Sequence, residues 1–424
     1  ASMLWEGYVA LQKSNPFPSG FERVRRRMSS YVVAGLQMTP RDATYTEQRD
    51  AILAAAAAGR NRRVDLGVLA NAFARRGAGS CAIAPPRTST DFLGVTESYE
   101  VRPRIEIGAI SLEEDRRSCD GDDYLDAGEQ GWVAITVMNG GATPMLDTVV
   151  TVSSTTSGIF FPRGLSARIR RIEPLGSTRV FIRIALDRTT SGLGSLELQV
   201  NVSNGEACEP VVSRSFTERI NADDVANASR IDAVETKITP WGLAGTDANA
   251  IWSRVEATPA DRAWLGIDSG RATDTALQSP ALLVGATDPL VITFEHRYSF
   301  EFDATDDIFF DGGVIEISLN NGATWEDISA HVDPGYGGTL FDDSGNPLGG
   351  RPAFVAQNDG WPARDPVTLN LGAGFAGRTV LVRFRIGTDG GVGDFGWEID
   401  NIAVAGITNT PFPMLVEDRM MCRP

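Results

Sequence analysis

Two groups of acidic side chains have the types and spacing that could bind a metal ion. The first places five carboxylates within ten residues, at Asp120, Asp122, Asp123, Asp126 and Glu129. Such a density of negative charge repels itself unless water or a cation surrounds it, and calcium prefers about six to eight oxygen ligands from loops of this kind. The spacing differs from that of an EF-hand, because the glycine and the final glutamate come too early. Both a calcium site and a solvated turn that leads into a strand fit this pattern.

The second acidic group lies in the last third of the chain. It begins with Glu301, continues through three further aspartates to Asp311, and is followed by Asp400 near the last predicted strand. Strands that are distant in sequence could bring Glu301, Asp311 and Asp400 together. We therefore expect calcium as a cofactor, with these three residues as candidate ligands beside those of the first group.

The residues give little support for a catalytic function. The chain contains only two histidines, His296 and His331, so it holds no His-Glu-x-x-His zinc motif. We expect His296, inside a predicted strand, to be structural and His331, at the edge of a loop, to be exposed. The sequence also lacks a Gly-x-Ser-x-Gly elbow, a phosphate-binding loop and a dinucleotide fingerprint. A glycosidase-like pair of carboxylates fits the composition, but nothing in the sequence selects two residues for it. No residue is therefore predicted to be catalytic.

Four cysteines are spread widely, at Cys81, Cys119, Cys208 and Cys422, and none forms a Cys-x-x-Cys motif. An even number of distant cysteines fits two disulfides in an exported protein, and we expect an extracellular location. Three connectivities are open. We favour Cys119–Cys208, since both residues would lie in one module, which leaves Cys81–Cys422. Four buried free thiols are the alternative.

The charge is distributed unevenly along the 424 residues, which carry 39 basic and 55 acidic side chains. Residues 1–92 contain 13 basic and 7 acidic side chains, whereas the remainder contains 26 and 48. This split indicates modules with different surfaces. The acidic part would repel phosphate, so we expect no nucleic-acid partner. No apolar run approaches the roughly 18–20 residues of a membrane helix, so we expect no membrane partner either.

The elements that must position these residues change type along the chain. Residues 1–83 have helical periodicity, with apolar residues three and four positions apart in the second helix and a capping box from Thr44 to Glu47. Asp65 leads a last helix, which Gly77 closes. Residues 84–104 are rich in Pro, Ser and Thr and read as a linker.

Strand patterns dominate the rest of the chain. Residues 105–220 contain short alternating segments that predict an immunoglobulin-like β-sandwich. A connector at 221–235 would lead to a jelly-roll-like β-sandwich at 236–407, in which Asn320-Asn321-Gly322 predicts a hairpin. The stretch Val332–Pro366 is too long for an ordinary turn and predicts a functional or metal-ordered loop. Residues 408–424 would form a C-terminal tail. The fold class is thus multidomain, α and then all-β.

Several segments of residues 1–83 carry a resemblance to a known family: Ala1–Glu6, Tyr31–Pro40, Arg49–Leu53 and Ala72–Gly77. In order and spacing, they resemble the helical end of the catalytic domain of fungalysin-type metallopeptidases, a thermolysin-like family of secreted zinc enzymes. Residues 119–140 resemble the start of immunoglobulin-like modules of secreted bacterial peptidases, and residues 290–405 resemble a jelly-roll module attached to such enzymes.

The resemblance implies a role without a complete active site. In this family, zinc is bound by the histidines of His-Glu-x-x-His and a downstream glutamate, all of which precede the segment that Ala1 begins. The chain would then be the C-terminal part of a secreted zinc metalloendopeptidase, with zinc only in the missing N-terminal catalytic portion. Its sandwiches would engage a protein or glycan substrate or a surface.

Two other hypotheses stay open: a calcium-dependent adhesin or carbohydrate-binding protein without catalysis, and a structural spacer. The metallopeptidase hypothesis makes a structural prediction that they do not make. The helices in residues 2–77 should present an apolar surface that normally packs on the missing zinc-binding helices. Without them, another chain would cover this surface, the helices would fold back on the sandwiches, or the protein would associate.

Overall fold

Helices occupy the beginning of the chain and strands occupy the rest of it in the computed structural model. The structure describes residues 2–14, 20–40, 43–86, 89, 93–115, 121–258 and 261–418. These residues form two compact units. Unit 1 contains the described residues up to 220 except 192–194, and unit 2 contains 192–194 together with 221–418. The expectation of a mostly β chain that begins with helices is confirmed.

Four helices lie within the described part of unit 1. They are α1 (Ser2–Lys13), α2 (Gly20–Met38), α3 (Tyr45–Ala58) and α4 (Arg62–Ala74). The predicted capping box is present, because the Thr44 side chain accepts from the Glu47 N–H and the Glu47 carboxylate accepts from the Thr44 N–H. Gly77 follows α4 with a φ of 80°, a backbone conformation that favours glycine. The local signals in the sequence thus placed these helices well.

The helices share a core with the strands that follow them. Buried side chains of the helical core include Leu11, Val24, Met28, Tyr31, Ile52, Leu69 and Phe73. Ala142 belongs to the same core, and Leu175 packs against it, although both lie in the strand-rich part of the chain. The predicted linker at 84–104 does not separate two modules, because its described residues Thr96 and Ser98 form β-bridges with Ile83 and Ala78. The helices and the first sandwich are therefore one unit.

The strands of unit 1 form two antiparallel sheets. The strands are β1 (Ile105–Glu114), β2 (Gln130–Asn139), β3 (Met145–Ser154), β4 (Ile159–Phe160), β5 (Ser166–Ile172), β6 (Ser177–Leu186), β7 (Gly194–Ser203) and β8 (Val211–Ile220). One sheet has the order β1-β2-β6-β4 and the other β5-β3-β7-β8. Inward Val, Ile and Leu side chains from both sheets form one core, as the alternating sequence pattern requires.

Unit 2 is a larger β-sandwich. Its longer strands are preceded and followed by short ones: β9 (Ala222–Ser229), β10 (Ile231–Asp232), β11 (Gly242–Gly245), β12 (Ser253–Thr258), β13 (Asp261–Gly266), β14 (Thr273–Gln278), β15 (Leu282–Leu283), β16 (Leu290–Ser299), β17 (Phe302–Asp303), β18 (Ile308–Phe309), β19 (Gly312–Ser318), β20 (Glu326–Asp327), β21 (Val332–Asp333), β22 (Gly338–Thr339), β23 (Pro352–Ala353), β24 (Asp365–Gly372), β25 (Thr379–Thr388), β26 (Gly396–Ala405) and β27 (Phe412–Glu417). One main sheet has the order β12-β13-β26-β16-β24-β21, and the other has the order β11-β14-β25-β19-β20. The predicted hairpin follows β19, where Asn321 and Gly322 both have positive φ.

The ends of unit 2 differ from the predicted boundaries. The expected connector at 221–235 contains β9, and the described part of the expected tail contains β27, which pairs with β9. Phe412 of β27 is fully buried and stacks on Trp241, with ring centroids 5.8 Å apart. The tail therefore belongs to the sandwich, because it supplies part of its aromatic core.

The long stretch from Val332 to Pro366 is ordered around a small core of its own. Leu340, Leu348, Ala353 and Val355 bury their side chains with Val314 of β19. This packing explains how a segment with little regular structure keeps one conformation. Within the described residues, no helix combines the length and the apolar character that crossing a membrane requires.

Candidate functional site

Four carboxylates of unit 2 converge from segments that are distant in sequence. We call Asp268, Glu301, Asp311 and Asp389 the acidic cluster. Single oxygens of the last three all lie within 4.8 Å of one another, and the carboxylate of Asp268 contacts that of Asp311.

Strand register brings these residues to one place. Asp311 immediately precedes β19 and Asp389 immediately follows β25, and Gly312 of β19 lies opposite Gly387 of β25. Asp268 and Glu301 each lie two residues beyond a strand, β13 and β16, and both strands end beside the start of β26. Each side chain therefore projects from the end of a strand, where the backbone is held by its neighbours.

The central pair of the cluster is deeply buried. Asp311 is 0% exposed and Asp268 is 6% exposed. Apart from the contact between the two carboxyl groups themselves, no hydrogen-bond donor of the described residues reaches Oδ2 of Asp311 or Oδ1 of Asp268. Their other oxygens accept backbone N–H groups: Asp389 donates to Oδ1 of Asp311 at 2.6 Å, and Glu301 donates to Oδ2 of Asp268 at 2.9 Å. The pair is thus held in position while two of its oxygens stay without a donor from outside the pair.

Burial and mutual repulsion change the protonation of this pair. Burial, followed by the negative charge of Asp268, raises the pKa of Asp311 to about 9. The pKa of Asp268 is raised as well, chiefly by burial. Two adjacent buried carboxylates cannot both be ionised unless something positive lies between them.

The glycine-rich segment after β25 is built around the same carboxylates. The N–H of Gly391 donates to Oδ1 of Asp389 at 2.5 Å, and the N–H of Val392 donates to Oε2 of Glu301 at 2.8 Å. A Cβ atom at Gly391 would lie 2.8 Å from Oδ1 of Asp389 and 2.9 Å from Oε2 of Glu301, so a side chain there would crowd both groups. Glycine at this position permits a close approach of the backbone to carboxylate oxygens.

Sequence reasoning found two members of this cluster and missed two. Glu301 and Asp311 were predicted and come together. Asp400 was predicted with them but lies elsewhere, since Nη1 of Arg364 is 2.5 Å from its Oδ2. Burial raises the pKa of Asp400 to about 7, and Arg364 opposes that rise. Asp268 and Asp389 were missed, because only the pairing of strands that are distant in sequence brings them to Glu301 and Asp311.

The first acidic group forms a turn in front of β2. Asp120 lies outside the described residues. The N–H of Tyr124 donates to Oδ1 of Asp122 at 2.9 Å, and the N–H of Asp126 donates to Oε2 of Glu129 at 3.1 Å. Asp123, which was also predicted as a ligand, has a positive φ of 69° in this turn. Calcium binding by this loop stays a prediction.

The cysteine pairing differs from the one favoured above. A disulfide joins Cys81 to Cys208, so the pairs Cys119–Cys208 and Cys81–Cys422 are both wrong. The reason is a packing contact that sequence alone does not show: the N–H of Cys208 donates to the carbonyl of Pro103, which brings the turn before β8 next to the segment after α4. Cys119 and Cys422 lie outside the described residues.

Both histidines are placed as predicted. His296 is buried, and its Nδ1 accepts a hydrogen bond from Nε1 of Trp397. His331 is exposed, with its Nδ1 3.2 Å from the carbonyl oxygen of Asn370. The partners of the two rings in these hydrogen bonds are an indole N–H and a backbone carbonyl, so neither bond joins a histidine to a carboxylate or a nucleophile.

Unit 1 carries an apolar groove between its first two helices. The groove is lined by Leu4, Trp5 and Tyr8 of α1 and by Arg25, Met28, Ser29, Val32 and Val33 of α2. Trp5 is 64% exposed and Val33 is 54% exposed. Further along α2, Leu36 and Met38 are also exposed. Part of the helical surface therefore packs on the first sandwich, and the side chains of the groove are exposed in part.

Comparisons with known proteins give only distant similarities. No family model matches the chain, and no curated protein matches it. A structure of carbohydrate-binding modules from the β-sandwich superfamily is 11% identical, with a TM-score of 0.26, over 72% of this chain and 98% of that one. The secreted serine protease VesC from Vibrio cholerae is 12% identical, with a TM-score of 0.21, over 72% of this chain and 51% of that one. At these TM-scores, no argument about function rests on either similarity.

Proposed function

We propose that this chain is a non-catalytic accessory region of a secreted peptidase, and that α1 and α2 dock onto a separate catalytic portion. The observation that carries the proposal is the exposed apolar groove between these helices. The finer assignment, to the C-terminal part of a fungalysin-type zinc metalloendopeptidase, rests on the sequence resemblance of residues 1–83.

The groove has the character of an interaction surface. An exposed indole next to exposed aliphatic side chains is unfavourable in water, and apolar surface beyond isolated residues usually marks a binding site. Arg25 lines the groove, and Arg23 and Arg26 are exposed on the same helix. We therefore expect the partner to present apolar side chains with acidic residues at their edge.

The two sandwiches would act as the binding or positioning part of such a protein. Their cores are complete, with inward-facing side chains from both sheets in each unit. The Cys81–Cys208 disulfide is typical of proteins that leave the cell, and supports an extracellular location. Zinc would belong to the catalytic portion, because His296 is enclosed by aromatic rings and its Nδ1 already accepts a hydrogen bond.

The test combines this chain with the polypeptide encoded immediately upstream in its reading frame. We expect the chain alone to leave casein intact, and the two parts together to cleave it in a chelator-sensitive reaction. Titration calorimetry of the two parts should show that Val33→Asp weakens association by about tenfold or more. The matched control is Val64→Asp on α4, because Val64 is 53% exposed but does not line the groove.

Three results would overturn the proposal. One is casein cleavage by this chain alone, and another is a failure of the two parts to associate. The third is equal weakening of the association by Val33→Asp and Val64→Asp. Binding of the full chain to a glycan array in the absence of any association would instead favour the adhesin or carbohydrate-binding hypothesis.

A further inference from the structure

We propose that the acidic cluster of Asp268, Glu301, Asp311 and Asp389 binds one calcium ion, and that this ion holds together the strand ends and the segment after β25. The inference concerns unit 2 and is independent of the docking proposed for the helices of unit 1.

Two buried carboxylate oxygens of the cluster lack a donor from any other side chain or backbone group of the described residues. Oδ2 of Asp311 and Oδ1 of Asp268 belong to side chains that are more than nine-tenths buried, and no donor of the described residues outside this pair reaches either atom. A buried carboxylate oxygen normally accepts a hydrogen bond or binds a cation, because leaving it unpaired is unfavourable. Both atoms belong to carboxylates that contact each other, so one cation between them would satisfy both.

The negative charge of Asp268, Asp311 and Asp389 is not balanced by a basic side chain among the described residues. The ion pairs formed by the described residues include none between an Arg or Lys side chain and Asp268, Asp311 or Asp389. Other buried carboxylates of unit 2 are compensated in that way: Glu316 pairs with Arg351 and Arg383 at 2.7 Å and 2.6 Å. For Asp268, Asp311 and Asp389, a divalent cation would supply the missing positive charge.

The donor set selects the kind of cation. The cluster offers only oxygen ligands, whereas zinc favours nitrogen and sulfur. Four carboxylates, which bind through one or two oxygens each, together with water can supply the roughly six to eight oxygens that calcium prefers. Magnesium demands a regular octahedron and usually keeps several waters, so a crowded set of carboxylates from four segments fits calcium better.

The consequence for the fold lies in two irregular segments. The segment after β25 donates N–H groups from Gly391 and Val392 to carboxylates of the cluster. The stretch between β22 and β23 is attached through Asn346, whose Nδ2 lies 2.8 Å from the carbonyl of Phe310, 2.7 Å from that of Gly387 and 3.3 Å from Oδ1 of Asp311. An ion in the cluster would therefore fix both segments, and its removal would release both.

The experiment uses the full chain after treatment with a chelating resin. Calcium is titrated by calorimetry, and limited proteolysis with and without calcium locates the cleavage sites by mass spectrometry. Asp311→Asn and Asp268→Asn keep the shape of the side chain and remove one charge each. The matched control is Asp303→Asn, since Asp303 belongs to the same acidic stretch but accepts N–H groups within its own turn.

We expect each cluster variant to lose one binding event or to weaken it by about tenfold or more, whereas Asp303→Asn keeps the wild-type isotherm. Calcium should protect residues 340–350 and 389–394 from cleavage in the wild type and in Asp303→Asn only. Any calcium that Asp311→Asn still binds must bind at a site elsewhere in the chain. The difference between the wild-type and variant isotherms therefore reports the acidic cluster, whatever the total number of bound ions. The proposal is overturned if millimolar calcium gives no heat and no protection, or if Asp311→Asn and Asp268→Asn both bind calcium as the wild type does.

Discussion

The indole N–H of Trp397 donates a hydrogen bond to Nδ1 of His296 over 3.2 Å in the core of unit 2. The imidazole is 1% exposed and meets the rings of Phe294, Tyr298 and Phe354 edge-on. Because Nδ1 accepts this hydrogen bond, His296 is neutral in the folded protein. Burial lowers the pKa of His296 to about 4, and the negative charge of Asp365 partly opposes that shift.

This relationship predicts how the stability of unit 2 depends on pH. An unfolded histidine titrates near pH 6.5, so between about pH 6.5 and 4 the unfolded state binds a proton that the folded state does not. The free energy of unfolding should therefore fall by about 3 kcal/mol as the pH is lowered through this range. His296→Asn keeps an acceptor near the position of Nδ1 and removes the titration, so it should lose this part of the pH dependence. The measurement is denaturant unfolding at several pH values in saturating calcium, and an equal slope in wild type and variant would contradict the prediction.

The disulfide predicts a different response of the two units to reduction. Cys81 and Cys208 are 127 positions apart, so their bond closes a long loop and restricts the unfolded chain. In the chain-entropy model, such a loop contributes about 4–5 kcal/mol of stability. A Cys81→Ser, Cys208→Ser double variant should lower the melting temperature of unit 1 but not that of unit 2, since residues 221–418 contain no cysteine. Calorimetry would contradict this if both transitions moved together or if neither moved.

The capping box of α3 predicts a smaller effect. Thr44→Ala removes the side chain that accepts the Glu47 N–H and should destabilise unit 1 by about 1 kcal/mol. Thr44→Ser keeps the hydroxyl and is the matched control, with little expected change. Chemical denaturation of the two variants in parallel measures the difference, and equal stability would show that the cap contributes nothing.

The features that the sequence predicted correctly are local ones. The capping box joins residues three positions apart, and the hairpin after β19 depends on two consecutive residues with positive φ. Helical and alternating periodicity likewise depend on close neighbours, so the helices of residues 1–83 and the strand-rich character of the rest of the chain could be predicted. Glu301 and Asp311 were selected because acidic residues are dense between them.

The features that were missed depend on which distant strands are neighbours. Asp268 and Asp389 do not belong to a dense acidic stretch, and only the register of β13 against β26 and of β19 against β25 brings them to Glu301 and Asp311. The pairing of Cys81 with Cys208 likewise depends on how the segment after α4 packs on the first sandwich. Such long-range pairing leaves no local pattern in a single sequence.

Asp400 is an error of the opposite kind, because it was predicted as a ligand and does not belong to the acidic cluster. It was grouped with the calcium ligands because it is acidic and near a strand, but Arg364 binds both Asp400 and Glu398, with Nε 2.9 Å from Oε1 of Glu398. Both carboxylates are buried. Arg297 also pairs with Glu398, at 2.7 Å. Among the described residues, Arg364 is thus the only basic side chain that forms an ion pair with Asp400.

Arg364→Met should therefore destabilise unit 2 by about 3–5 kcal/mol, because it leaves the buried carboxylate of Asp400 without its cation and leaves Glu398 with Arg297 alone. Adding Asp400→Asn to this variant should recover part of the loss, since it removes the uncompensated charge. Arg378→Met is the matched control, because Arg378 is exposed in the same unit and should tolerate the change. Urea unfolding measures all three variants. If Arg364→Met were no worse than Arg378→Met, the ion pairs would contribute nothing.

Asp400→Asn alone should leave the calcium isotherm unchanged, since Asp400 is bound to Arg364 and lies outside the acidic cluster. A weakened isotherm would show that Asp400 is a calcium ligand after all.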